Sequence, residues 1–220
     1  MNDLDGLISG YKHFYEEYVN KDINHYKKAS KVQAPKSLVI ACSDSRVDPA
    51  IITNAAPGEI FVIRNVANLV PPYLPEKGDD KKRLLHGVSA ALEFAVCILQ
   101  VRNIIILGHS HCAGIHTIIE PTILKKSDFI GDWMDIARPT LTRAISDFGD
   151  VGNSPEKKDL LQQHCSEKVI LLSMQNLLTF PWIEERVKAG DLNLHGWYFS
   201  IFDGILKNYN QQQQKFTPVL

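Results

Sequence analysis

Apolar residues along this chain recur with two different periods. Leu7, Ile8, Tyr11, Phe14, Tyr15 and Tyr18 fall three and four apart, which predicts one amphipathic helix, or two in succession, over residues 4–29. QAP at 33–35 ends that pattern. SLVIA at 37–41 is a short β-rich run, EIFVIRN at 59–65 is a second strand and NIIILG at 103–108 an apolar third. DPAIITN predicts a short helix with Asp48 as N-cap and Pro49 just inside it. NLVPPYLPEKGDD, rich in proline and charge, predicts a surface loop. Leu84, Leu85, Val88, Ala91, Leu92, Ala95, Val96 and Leu99 then form a helical stripe. Further helices are expected over 133–147, over 155–178 and at PWIEERVKAG. LNLHGWYFSIFDG and FTPV read as late antiparallel edge strands.

Strand, helix, strand, helix, strand implies parallel pairing through right-handed crossovers. The predicted fold is α/β, with a central, mostly parallel sheet flanked by helices, an N-terminal helical arm and antiparallel late edge strands. One domain is expected over 1–220, with the arm at 1–32, a core at 33–205 and a C-terminal strand and tail at 206–220. No internal repeat is visible, and the QQQQ at 211–214 is too short to form a low-complexity segment.

The 220 residues, 45% hydrophobic and 22% charged, suit a globular chain with a sizeable core. A formal charge of −1 gives no electrostatic case for nucleic acid or an anionic membrane as partner. No apolar run approaches membrane-spanning length, and MNDLDGLISGYKHF lacks the basic start and apolar stretch of a signal peptide. A cytoplasmic setting is therefore expected. Four cysteines in such a chain do not suggest a disulfide framework. Cys97 and Cys165 lie in helix-like apolar segments and are expected to be buried packing residues. Cys42 and Cys112 stand beside polar residues at the ends of strand-like runs.

The strand pattern sends CSDSR at 42–46 and GHSHC at 108–112 to one edge of the sheet, because sites in open α/β sheets form at the carboxyl ends of strands. If residues 42–46 stay extended, their period of two puts Cys42, Asp44 and Arg46 on one face. Cys42, His109 and Cys112 supply two soft thiolates and an imidazole, a donor set suited to one zinc ion per chain. Three protein ligands with one position open is a catalytic arrangement. Asp44, His111 and His116 are the candidates to close it. A bidentate pair with Arg46 would fix the plane of Asp44 and hold it off the metal.

These motifs resemble the β-class carbonic anhydrases. The likeness is carried by CSDSRV at 42–47, PGEIFVIRNVAN at 57–68, HGVSAALEFAV at 86–96 and GHSHCAG at 108–114. The resemblance implies zinc on Cys42, His109 and Cys112, and an Asp44–Arg46 dyad that orients the zinc hydroxide for attack on CO2, giving bicarbonate reversibly. It also implies assembly as a homodimer or a dimer of dimers. Gln33, nine residues before Cys42, resembles the plant-like type, where this glutamine reaches the substrate pocket across the dimer interface. Phe61, Val66 and Phe94 match the apolar pocket lining, with Phe94 standing where the plant enzymes have a tyrosine. The family's other type has an inhibitory bicarbonate site. Its positions are Val39 and Phe199 here, with only Arg64 retained, so that control is expected to be absent or weakened. Ala113 replaces a more usual glycine and would be strained if its φ were positive. His86 and His111 are the candidate proton shuttles.

Two other readings use the same residues. A non-catalytic zinc-binding or thiol-sensing protein needs Cys42, His109 and Cys112 but leaves Gln33 and Arg46 idle. Hydrolysis of CS2 or COS on the same fold is the other enzyme reading, which tunnel shape and not these motifs would separate from hydration. A nucleotide-binding domain is disfavoured, since no glycine-rich phosphate loop follows a strand.

Overall fold

A computed structural model describes residues 3–21, 30–74, 87–120, 127–152 and 154–220. Its backbone divides into two units, Met1–Ala34 and Pro35–Leu220. In the first, helix α1 (Asp3–Phe14) continues into a π-helical turn, Tyr15–Asn20, with Leu7, Ile8, Tyr11, Tyr15 and Tyr18 all exposed. Residues 22–29 of the predicted helix lie outside the described residues.

The second unit is built on a six-stranded sheet made of β1 (Ser37–Cys42), β2 (Ile60–Asn65), β3 (Asn103–His109), β4 (Asn193–Phe199), β5 (Leu206–Asn210) and β6 (Lys215–Pro218), in the order β2-β1-β3-β4-β5-β6. β1 alternates between two cores. Leu38 and Ile40 enter one with Ile104 and Ile106, and Val39 and Ala41 enter the other with Ile105 and Leu107. Burial on both faces is why SLVIA and NIIILG read as unbroken apolar runs.

The helices are α2 (Pro49–Thr53), α3 (Gly87–Glu93, extended by a π-helical turn Phe94–Ile98), α4 (Ala113–Ile119), α5 (Ile130–Met134), α6 (Arg138–Phe148), α7 (Pro155–Leu177) and α8 (Pro181–Lys188). α2 starts as its sequence predicts: the Asp48 carboxylate accepts from the amides of Ala50 and Ile51, and Pro49 occupies the first turn. The helix expected over 133–147 is two pieces, with Pro139 in the first turn of the second, where its missing N–H costs no intrahelical bond. α7 lies close on the sheet at two glycines. A Cβ on Gly108 would sit 2.7 Å from Ile170 Cγ1, and one on Gly196 2.8 Å from Met174 Sδ.

Several expectations need correction. β4 is neither antiparallel nor at an edge. It pairs parallel with β3 from Asn103↔Asn193 to His109↔Phe199, since the α7–α8 crossover returns the chain to the end where β3 begins. The antiparallel part begins at β5, a strand absent from the sequence reading, and ends at β6, where FTPV was expected to be a strand. QQQQ forms the turn between them, with Asn210 Oδ1 accepting from the Gln213 amide. Cys165 is buried as expected, but Cys97 is exposed, facing away from the buried Ala95 and Val96.

Strand order reverses at β1 and β3: the chain leaves β1 for β2 on one side, then crosses to β3 on the other. Their carboxyl ends are therefore the topological switch point, where α/β sheets open a crevice. Cys42 ends β1 and His109 ends β3.

Candidate metal centre

Three side chains converge in that crevice. Cys42 Sγ, a ring nitrogen of His109 and Cys112 Sγ lie within 4.8 Å of one another, and all three residues are buried. Among the described residues this is the one cluster able to hold a metal. The sulfurs are 3.8 Å apart. Two thiolates on a tetrahedral ion at about 2.3 Å would stand about 3.8 Å apart, so the gap matches zinc geometry.

His109 adds a second sign. Its Nδ1 lies 2.8 Å from the Ser110 carbonyl, which makes Nδ1 the protonated nitrogen and leaves Nε2 with a bare lone pair. Nε2 is buried and has no hydrogen-bond partner. An unsatisfied buried acceptor costs free energy unless something binds it, and a metal ion would.

Without a metal, the sulfurs contend for one proton. The contact from Cys112 lowers the Cys42 thiol to about 4, against the opposing effect of burial. The same contact, with burial, pushes Cys112 well above the ordinary thiol range. The contact favours a thiolate on Cys42, and a dication would favour a second on Cys112.

Asp44 lies at the rim. Its Oδ1 accepts from Arg46 Nε at 2.9 Å and from the Arg46 amide at 3.0 Å, and its Oδ2 accepts from Arg46 Nη2 at 2.7 Å. The guanidinium first, then the amide, holds the Asp44 carboxyl well below the usual carboxylate range, against burial. Asp44 Oδ2 is 3.9 Å from His109 Nε2. Extended alternation does not produce this pairing. β1 stops at Cys42, and a turn closed by the Val47 amide on the Asp44 carbonyl brings Arg46 back over Asp44.

The second ligand loop is tied to the first. Arg46 Nη2 also donates to the His111 carbonyl at 3.3 Å, and His111 has φ of 53°. That places the positive φ of GHSHCAG on His111. Ala113 opens α4 and is not among the positive-φ residues, so the strain considered for it does not arise. Of the candidates to close the metal shell, His111 faces Asp159 at 3.9 Å and His116 faces Glu120 at 3.7 Å. Asp44 is the one in reach of the cluster.

The expected pocket lining is divided. Val66 follows Asn65, the register partner of Cys42, and its carbonyl accepts from Trp133 Nε1 at 2.8 Å. Phe61 stacks on Phe94 with centroids 5.9 Å apart. Phe61 lies four residues back along β2, about 13 Å from Asn65 at roughly 3.3 Å per residue. Phe94 is 37% exposed, and Ile98, one turn on, is 66% exposed. Gln33 is exposed in the N-terminal unit. His86 lies outside the described residues.

Three supporting side chains escaped the sequence reading. Trp133 holds Val66, Gln162 Nε2 donates to the Cys112 carbonyl at 3.3 Å, and Arg64, read only as a remnant, donates to the Cys42 carbonyl at 3.1 Å. Trp133 and Gln162 sit on helices distant in sequence and have no local signature. Arg64 had one, a charge inside an otherwise apolar strand.

A family model for carbonic anhydrase matches residues 37–206. "Beta carbonic anhydrase 5, chloroplastic" of Arabidopsis thaliana is 41% identical over 185 residues, which is 83% of this chain and 56% of that protein. This chain thus spans little more than half of that relative's length. A carbonic anhydrase of Pseudomonas aeruginosa is 33% identical over 213 residues, 97% of this chain and 90% of the other. The solved structure of the β-carbonic anhydrase CcaA superposes with a TM-score of 0.85 at 31% identity, covering all of this chain and 93% of that one.

Proposed function

Because this chain belongs to the β-carbonic anhydrase family, we propose that it hydrates CO2 reversibly to bicarbonate and a proton, using one zinc ion on Cys42, His109 and Cys112. The observation that carries this reading is the bare, buried Nε2 of His109 between two sulfurs at tetrahedral spacing, with the Asp44 carboxylate 3.9 Å away. When bound, zinc supplies a hydroxide nucleophile near neutral pH.

The remaining work falls to the chain's own residues. A carboxylate offers about four acceptor places, and Arg46 fills three on Asp44. With the metal bound, the place left on Asp44 would accept the hydrogen of the nucleophile's O–H and so orient it towards CO2. Arg46 keeps Asp44 charged and keeps its plane fixed, so the carboxylate orients the nucleophile and does not compete for the metal. Val66, steadied by Trp133, gives CO2 an apolar wall inside one chain.

Phe61 and Phe94 are proposed to line the pocket of a second copy; Gln33, as the plant-like type implies, is separately proposed to act across a dimer interface. About 13 Å along β2 separates Phe61 from Asn65, the register partner of Cys42, and the ring stacked on it, Phe94, is exposed together with Ile98. A homodimer, alone or doubled, completes each site with a partner's aromatic wall. Thiolate ligands call for a reducing compartment, and the cytoplasm is the setting proposed. Among the described residues no helix is long and apolar enough to cross a membrane.

The test is zinc content together with stopped-flow CO2 hydration from pH 6.5 to 9. One zinc per chain with hydration far above the buffer blank is the expected result. Full zinc loading with blank-level hydration would overturn the reading.

A further inference from the structure

Asp44 has to keep its place, and the contact with Arg46 does not explain how. Arg46 fixes the plane of the carboxylate, but it rides on the same turn as Asp44 with its side chain 50% exposed, so the pair does not anchor the turn to the sheet. Ser43, Ser45 and Arg46 are all exposed. Something else must hold the backbone of this turn.

That support is on β2. Arg64 Nε donates to the Cys42 carbonyl at 3.1 Å, and Arg64 Nη2 donates to the carbonyls of Asp44 at 2.7 Å and Val47 at 3.0 Å. Arg64 Nη1 reaches Asp48 Oδ2 at 3.2 Å. Four of the five guanidinium N–H groups are thereby spent on one seven-residue stretch, Cys42 to Asp48. Asp48 is itself anchored, because its other oxygen caps α2. The cation is balanced by Asp48, so it does not draw Asp44 away from Arg46. Only a planar fork meets three carbonyls and a carboxylate together; an ammonium, with three donors at one point, does not.

We propose that Arg64 is a positioning residue for CO2 hydration: it clamps the turn between Cys42 and Asp48 and, through that backbone, sets where the Asp44 carboxylate stands relative to the metal ligands. The clamp's catalytic consequence rests on the hydratase reading above; its effect on the turn does not.

The variants are Arg64→Gln, Arg64→Lys, Asp44→Asn and Asp44→Asn/Arg64→Gln, each as the full chain loaded with zinc. Arg64→Gln is expected to keep one zinc per chain and a CO2 KM within about twofold of wild type, while kcat falls about 10- to 100-fold, as for other supports of a metal site. Arg64→Lys recovers only a small part. In the Asp44→Asn background the same Arg64 change costs no more than about twofold, because the clamp acts through a carboxylate already removed. An Arg64→Gln chain with wild-type kcat would overturn the proposal, as would a loss that persists in full in the Asp44→Asn background. Should Arg64→Gln not fold, Arg64→Lys carries the same readings, and wild-type kcat there overturns it.

Amide hydrogen exchange on the zinc-free chain separates the two readings. Arg64→Gln is expected to release the amides of Ser43, Arg46 and Val47 while those of β1 and β3 stay protected. Unchanged exchange in the turn overturns the clamp, and a wild type inert towards CO2 overturns the hydratase reading.

Discussion

At the carboxyl ends of β1 and β3, Cys42, His109 and Cys112 are buried, their loops are joined by Arg46, and one lone pair is left bare for a metal. At the amino end of β2, Phe61 packs on the core and stacks on Phe94, while Phe94 and Ile98 are exposed. Both regions lie on one sheet. The first is complete within a single chain because its chemistry tolerates no looseness: ligand atoms must be fixed before the metal arrives. The second is open in a single chain, and in the proposed dimer its apolar surface would gain burial against another copy.

The comparison breaks most severely if the buried region is emptied. Stripping zinc with a chelator, or replacing Cys112 with Ser, is expected to reduce hydration to the blank. Where free zinc stands a thousandfold above its Kd, its removal also costs about 4 kcal/mol of stability, measurable by denaturant unfolding with and without the metal. Asp44→Asn comes next, with zinc retained and kcat lowered about 100-fold or more. Since Arg46 holds the Asp44 carboxyl below its ordinary value, the group is charged at every pH above about 4. The loss must then be the same factor at pH 7 and pH 9 in stopped-flow assays; a factor that changes between them would argue against the assignment.

A smaller effect is expected at the open region. Phe94→Lys puts a charge into the proposed wall and is expected to weaken self-association by about 2 kcal/mol, or roughly thirtyfold. Specific activity should then depend on protein concentration, which sedimentation velocity and assays over a dilution series would reveal. A monomer with full activity would show the wall to be dispensable. The slightest effect is on labelling. Cys97, exposed one turn from Phe94, has its thiol pushed up by partial burial and then by Glu93. Alkylation by iodoacetamide should rise with pH into the alkaline range and slow at high protein concentration if a second copy covers that helix. Cys165, buried and pushed up to about 11, should stay unlabelled.

The cluster of Cys42, His109 and Cys112 was legible because its members end or closely follow apolar runs, and strand ends in an α/β sheet share an edge. Asp48 and Pro49 announced α2 through local chemistry alone. What was hidden depends on distant returns of the chain. The direction of β4 is set by a crossover through α7 and α8, which no residue of β4 encodes. α4 is only seven residues long, too short for its period to stand out from an apolar run. The pairing of Asp44 with Arg46 was foreseen but by the wrong geometry, since a turn and an extended strand bring residues two apart together equally well. Arg64 binds mostly backbone carbonyls, which every residue type presents, so no sequence pattern marks its partners.

The spacing of the two sulfurs also acts as a gauge. Copper(II) outranks zinc in raw affinity for most donor sets. Neighbouring thiolates on a square-planar ion at about 2.3 Å would stand about 3.3 Å apart, and opposite ones on a linear ion about 4.6 Å. Cys42 ends a strand hydrogen-bonded on both sides, and the Cys112 carbonyl accepts from Gln162, so the backbone beneath both sulfurs is held. With the sulfurs 3.8 Å apart, the pair matches a tetrahedral ion, and in a competition titration cobalt(II) should replace zinc with far less disturbance than copper(II).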